Sequence, residues 1–225
     1  MSPITLAVLD MAGTTVADDG LVLRAFAAAA EAGGLPAEGP DADAARQYVL
    51  DTMGQSKIVV FRAIFGDEDR AQAANAAFET TYDALIDQGL AQPIPGAEKA
   101  ITTLREAGIK VALTTGFSRS TQDKLLAALG WETLADLTLS PAEAGRGRPY
   151  PDLILTALLR LGIDDVHQIA VVGDTSNDVL SGIRSGASIV AGTLTGAHDE
   201  HQLRDAGATH IVESVTDFAE LLVNS

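Results

Sequence analysis

Hydrophobic residues follow two different rhythms along this chain. From about residue 95 onward, short unbroken apolar runs such as "GIKVALTT", "ADLTLS", "QIAVVGD" and "SIVAGTL" alternate with stretches of helical spacing, "TQDKLLAALG", "PDLILTALLRLG" and "DVLSGIRSGA". A strand that is apolar at every position is covered on both faces, so the alternation predicts a parallel sheet with helices packed on either side. The opening run "LAVLD", residues 6–10, belongs to the same sheet. Between residues 17 and 94 only helical spacing is present, in "LVLRAFAAAAEAGG", "ARQYVL", "KIVVFRAIFG" and "AANAAFETTYDALIDQG". "GLAQPIPGAE" then supplies two glycines and two prolines, as a return linker would. The expectation is an α/β fold with a parallel-sheet domain of residues 1–16 and 95–225 and a helical domain, 17–94, inserted after the first strand.

Composition narrows the function classes. Hydrophobic residues make up 47% of the 225 positions, enough for a sizeable core. Thirty-one Asp and Glu against fifteen Lys and Arg give a net charge of −16, which repels polyanions and offers no phosphate-tracking face. Nucleic acid and membrane are therefore not expected partners. An anionic substrate would need isolated basic residues or a metal to reverse the field locally. Cysteine is absent, which excludes disulfides, thiol nucleophiles and thiolate-bound zinc. The first apolar run is too short for a membrane span or a signal core and has no basic region before it, so the expected location is the cytoplasm.

In an open parallel sheet a ligand sits beyond the carboxyl ends of the strands, and four such ends here carry polar residues. Asp10 ends the first run, where an acid also serves as a turn or cap residue. Thr114, Thr115 and Gly116 end the next, with hydroxyls and backbone amides that can hold phosphate oxygens or form an ordinary cap. "GRGRPYPD" sets Arg146 and Arg148 in a proline-fixed loop. Arg148 can present a planar pair of N–H groups to a phosphoryl group, and a solvated loop arginine reads the same way. In "AVVGDTSNDVLSG", Asp174 and Asp178 flank the start of a helix. Two acids there repel each other unless a cation is present, and hard oxygen ligands beside a phosphate favour magnesium; helix capping is the alternative.

Taken in order, these residues resemble the signature of the haloacid dehalogenase superfamily, with its nucleophile motif at Asp10, its threonine motif at Thr115, its basic motif at Arg148 and its acidic motif at Asp174 and Asp178. Within that superfamily, "DMAGTT", arginine at position 148 where most members carry lysine, and "MGQSK" resemble the phosphonoacetaldehyde hydrolases, or phosphonatases, and their close relatives. The resemblance implies a Rossmann-like α/β core with a small helical cap. It implies Asp10 as nucleophile, and magnesium held by Asp10, the Ala12 carbonyl and Asp174, with Asp178 and Thr175 in support. It also implies a phosphoryl group bound by Thr115, Gly116 and Arg148, and a Schiff-base lysine at Lys57, preceded by Met53 and Gly54.

Family phosphatases carry a second aspartate two residues after the nucleophile, as general acid for an alcohol leaving group. Ala12 stands there instead, and general acid catalysis is worth about 10²–10⁴ in rate. Cleavage of a carbon–phosphorus bond has a different need, because its leaving group is a carbanion, and an iminium between lysine and a carbonyl is an electron sink for it. By pattern alone Lys57 is a surface lysine on the amphipathic "KIVVFRAIF".

The phosphonatase pattern is departed from at Val60, where it has histidine, at Phe117, where it has tyrosine, and at Leu21, near a position that is cysteine there. These departures are expected around the organic part of the substrate and shift the expectation toward a related 2-oxo-phosphonate. The expected partner is a small-molecule phosphonate or phosphate ester, and a homodimer is compatible with the sequence. The rivals are a phosphomonoesterase of the phosphoglycolate phosphatase type and a non-catalytic phosphate-binding module. His198 and His201 in "GAHDEHQL", like His167 and His210, read as solvated, and Trp131 and the phenylalanines as core.

Overall fold

The unbroken apolar runs form a six-stranded, all-parallel sheet in the computed structural model, which describes residues 3–224. In chain order the elements begin β1 (Leu6–Asp10), β2 (Val16–Ala17), α1 (Leu21–Ala32), α2 (Pro40–Asp51), α3 (Lys57–Phe65), α4 (Glu68–Asp87) and β3 (Gln92–Pro93). They continue α5 (Ala97–Glu106), β4 (Lys110–Thr114), α6 (Arg119–Leu129), β5 (Leu137–Leu139), α7 (Pro141–Ala144), α8 (Asp152–Leu161) and β6 (Ile169–Gly173). The chain closes with α9 (Ser176–Ser185), β7 (Ile189–Thr193), α10 (Glu200–Asp205), β8 (His210–Val212) and α11 (Val215–Val223). The sheet order is β5-β4-β1-β6-β7-β8, so β1 is central and the chain direction across the sheet reverses beside it.

Strand side chains alternate between two covered faces. Ala7, Leu9, Val111, Leu113, Ala170 and Val172 pack with Ile101 and Leu104 of α5, Leu125 of α6 and Phe218 of α11. Leu6, Val8, Ala112, Ile169 and Val171 pack with Leu153, Ile154 and Ala157 of α8 on the other face. Burial on both faces is the reason these strands read as continuous rather than alternating runs.

The stretch expected as a plain return linker is more ordered than that. β3 pairs antiparallel with β2, Val16 opposite Pro93 and Ala17 opposite Gln92, so the two chain crossings between sheet and helices are tied into one ribbon. Helices α1, α3 and α4 are packed by their aromatic rings. Phe61 lies 6.2 Å from Phe26 and 6.0 Å from Phe78, and Phe78 lies 5.9 Å from Tyr82. Phe117, from the loop after β4, is inserted into the same group, 4.5 Å from Tyr82 and 6.3 Å from Phe78. Trp131 is buried and donates from Nε1 to Glu98 Oε1 at 2.8 Å. Among the described residues no helix is long and apolar enough to cross a membrane.

Candidate active site

The strand ends converge as the topology requires. Asp10 closes β1, the Thr114–Gly116 segment closes β4, and Asp174 follows β6, all at the same edge of the sheet. One carboxylate oxygen from each of Asp10, Asp174 and Asp178 lies within 4.8 Å of the others, and all three residues are buried. Arg148, itself 6% exposed, runs between them: its Nη1 is 2.7 Å from Asp10 Oδ1 and its Nε is 2.7 Å from Asp178 Oδ1. Its Nη2 donates to Thr114 Oγ1 at 2.6 Å, and Nη1 reaches the carbonyl of Gly54 at 3.4 Å. A guanidinium has five N–H groups, so these contacts leave Arg148 one for a ligand. It is first the bracket of the carboxylates.

Each acid has its own supports. Asp174 accepts from the Thr14 hydroxyl at 3.2 Å and from the Ala197 amide at 2.8 Å. Asp178 closes a capping box with Thr175 at the start of α9, taking the Thr175 amide and hydroxyl on Oδ2. The capping reading and the site reading of Asp178 therefore hold together. Thr15 donates to the Asp10 carbonyl at 2.9 Å, which fixes the end of β1. Thr115 is buried, and its Oγ1 accepts the Phe117 amide at 3.1 Å.

Burial is the first cause of the shifts here. It raises Asp10 well above the usual carboxylate range, against the lowering effect of Arg148, and Asp178 and Asp174 raise it further. Asp174 is pushed up to about 7 by burial and then by Asp178. Three carboxylates against one guanidinium leave negative charge that a divalent cation would balance. Two glycines leave room for the Asp174 carboxylate: a Cβ on Gly13, whose φ is +88°, or on Gly196 would run into it. An all-oxygen donor set suits magnesium, so the residues fit the metal.

The helical segment 17–94 supplies the opposite wall. A cavity of about 380 Å³ is lined by Asp10, Ala12, Thr115, Gly116, Phe117, Arg148, Asp174 and Thr175, and from the helical segment by Asp18, Met53, Gly54 and Lys57. The turn before α3 sits flush on the sheet's edge. A Cβ on Gly116 would lie 2.6 Å from the Gln55 carbonyl and 2.8 Å from that of Gly54, and a Cβ on Gly54 would lie 2.6 Å from Thr175 Oγ1. Asn177 ties the turn down, donating to the Met53 carbonyl at 2.7 Å and accepting from Gln55 Nε2 at 3.1 Å.

Lys57 is the first residue of α3, and its Nζ lies 5.6 Å from the ring centroids of both Phe78 and Phe117. Among the described residues it makes no hydrogen bond and no ion pair within 4 Å. Desolvation lowers its pKa from 10.5 to about 8, partly opposed by Asp18 and Asp10. In place of an exposed surface lysine, Lys57 is half-buried, with its amine over the rings of Phe78 and of Phe117 from the loop after β4.

Of the three departures from the phosphonatase pattern, Phe117 lines the cavity, whereas Val60 and Leu21 are buried in the hydrophobic core. His198 corrects its expectation. It is buried, accepts the Ser176 amide on Nδ1 at 2.9 Å, and precedes α10 in place of lying on its exposed face. His201 is exposed beside Asp205, and His167 beside Asp165. Arg146 is exposed and paired with Asp152 at 2.8 Å. Sequence reasoning missed Thr14, Asp18, Asn177 and Ala197. "NDVLSG" places Asn177 beside the acids, but its partners lie more than 120 residues away.

Comparison with known proteins agrees with this geometry. The phosphonoacetaldehyde hydrolase of Pseudomonas fluorescens is 27% identical over 73% of this chain and 69% of its own length. Seven phosphonoacetaldehyde hydrolases that this chain matches, this one included, are covered over 38% to 69% of their lengths. The probable phosphatase IndB of Dickeya dadantii is 26% identical over 94% of this chain and 90% of its own. The crystal structure of a phosphonoacetaldehyde hydrolase-like protein from Oleispira antarctica superposes with a TM-score of 0.84 over 99% of this chain and 92% of that one, at 23% identity, which establishes a shared fold. The family model for haloacid dehalogenase-like hydrolases matches residues 4–186, and with the sheet order and the acidic strand ends it makes the chain a member of the haloacid dehalogenase-like hydrolase family.

Proposed function

We propose that this hydrolase cleaves the carbon–phosphorus bond of a 2-oxo-phosphonate, with Asp10 as nucleophile and Lys57 as Schiff-base former. The reading rests on one observation: an unpaired, desolvated lysine amine lines the same cavity as Asp10, while the position two residues after Asp10 is Ala12. The sheet domain, 1–16 and 95–225, carries the phosphoryl half, and the cap, 17–94, the organic half.

With a pKa of about 8, roughly one Lys57 in ten is a free amine at pH 7. It adds to the substrate carbonyl and, with loss of water, becomes an iminium. Asp10, whose ionised form Arg148 favours against the effect of burial, attacks phosphorus. The C–P electron pair passes into the iminium to give an enamine, and the phosphoryl group is left on Asp10. Water then cleaves the aspartyl phosphate, and protonation and hydrolysis of the enamine free Lys57. Thr115, the Gly116 backbone and the remaining N–H of Arg148 hold the phosphoryl oxygens. Magnesium would be held by Asp10, the Ala12 carbonyl and Asp174, with Asp178 and Thr175 behind them, and would supply charge neutralisation of the phosphoryl group.

The coverage of IndB favours a second reading, a phosphomonoesterase in which another group replaces the proton donor missing at Ala12. Phosphate release from phosphonoacetaldehyde, 2-oxopropylphosphonate, phosphoglycolate and simple alkyl phosphates, with magnesium present, separates the two. Turnover of the oxo-phosphonates at least 100-fold above the esters supports C–P cleavage, and the reverse order overturns it.

A further inference from the structure

Forming an iminium from a ketone or aldehyde requires a proton for the departing oxygen, and neither Asp10 nor Asp174 is free to give one in a site where both face the phosphoryl group. Two other carboxyl groups line the cavity, that of Asp18, which is half-buried, and that of Asp19, which is exposed. Asp18 stands between β2 and α1 and lines the cavity with Lys57 and Met53 of the helical segment. Its Oδ1 accepts the Val22 amide at 3.1 Å, which fixes the side chain at the start of α1. Among the described residues no ion pair within 4 Å joins Asp18 to Lys57, and both side chains line the same cavity of about 380 Å³. We infer that Asp18 is the acid–base residue of the Schiff-base half of the reaction, an assignment that rests on the C–P reading above.

The steps balance. Lys57 Nζ bonds to the carbonyl carbon, and the proton it sheds moves to the carbonyl oxygen, giving a carbinolamine. The Asp18 O–H passes its proton to that hydroxyl, the C–O bond breaks with its electron pair leaving as water, and the nitrogen lone pair forms C=N. After C–P cleavage the enamine carbon takes a proton from solvent. Water then adds to the imine carbon and returns its proton to the Asp18 carboxylate, and the carbinolamine collapses as its hydroxyl proton passes to nitrogen and the C–N bond breaks, freeing the Lys57 amine and the carbonyl product. Burial raises the Asp18 carboxyl above its ordinary value, which favours the protonated donor, while the Val22 amide and Lys57 pull the other way. The titratable groups that face it are Lys57, Asp19 and Tyr82.

Asp18→Asn keeps the acceptor for Val22 and removes the proton. In that variant, borohydride trapping with 2-oxopropylphosphonate and kcat for the same compound should both fall on the order of 10²–10⁴-fold, with the urea midpoint unchanged. Asp18→Gly should regain activity when formate is added, a rescue that a purely structural aspartate would not show. If Asp18→Asn traps and turns over at the parent's rate, or if formate rescues nothing, the assignment falls alone. If the parent releases phosphate from the oxo-phosphonate yet is never trapped, the Schiff-base reading falls and the role of Asp18 with it.

Discussion

Replacing Lys57 by methionine should make the protein more stable while removing C–P cleavage. Lys57 is desolvated among Phe78 and Phe117, and among the described residues no carboxylate pairs with it within 4 Å. Its pKa moves from 10.5 to about 8, and at 1.36 kcal/mol per pH unit that places a penalty of about 3 kcal/mol on the charged form at pH 7. The sign follows from linkage. Between about pH 8 and pH 10.5 the unfolded chain binds a proton at Lys57 that the folded chain does not, so folded stability rises with pH across that window. Below about pH 8 the penalty is fully present, and above pH 10.5 it is gone. Lys57→Met carries no such term and keeps a flexible apolar chain against the same rings. Loss of the cation–π contacts returns about 0.5–1 kcal/mol, so the net gain at pH 7 should be about 2 kcal/mol. Urea unfolding of parent and variant at pH 7 and pH 10.5 measures this: the gap should be present at the first and close to zero at the second. Equal stability at pH 7, or a gap that does not change with pH, would refute the desolvation argument.

The remaining predictions concern the opposite wall and the cap. Asp10→Asn should lower turnover of every substrate by at least about 10³-fold, read as phosphate release, without unfolding the protein, because the change is nearly isosteric but removes the attacking charge. Exhaustive chelation should stop turnover of the parent, and magnesium should restore it. Ala12→Asp restores a proton donor beside the cavity and should raise hydrolysis of simple phosphate esters at least tenfold from its starting level. Gly116→Ala puts a methyl group 2.6 Å from the Gln55 carbonyl, so the turn that carries Lys57 must lift; kcat should fall about 10²-fold, with the urea midpoint little changed.

The parts of the fold that read clearly are those in which a local pattern reports burial on both sides. Val8, Leu9, Val171 and Val172 have neighbours above and below, and their runs are unbroken for that reason. Phe61 and Phe65 in α3, and Phe78 and Tyr82 in α4, fall at helical spacing because one face of each helix is packed, and the helical stretch is legible from them. Contacts formed at long range read poorly. Nothing near Lys57 in sequence shows that Phe117 will cover it, and the acidic setting of His198 hides its contact with the Ser176 amide, made because the chain turns back at Gly196 to bring Ala197 to Asp174. Arg148 illustrates the limit from another side. Its loop marks an arginine with a fixed path, but its partners Asp10, Asp178 and Thr114 come from three other segments. The non-catalytic rival is set aside by membership of a hydrolase family.

The central claim is that Lys57 forms a covalent imine with the substrate while Asp10 takes the phosphoryl group. Borohydride added to the parent enzyme with 2-oxopropylphosphonate and magnesium, followed by digestion and mass analysis, tests it at the bond in question. The account predicts irreversible inactivation and a reduced adduct on the peptide that contains Lys57, absent with borohydride alone and absent in Lys57→Arg. Steady phosphate release from the same compound with no adduct on that peptide, and full activity in Lys57→Arg, would contradict it.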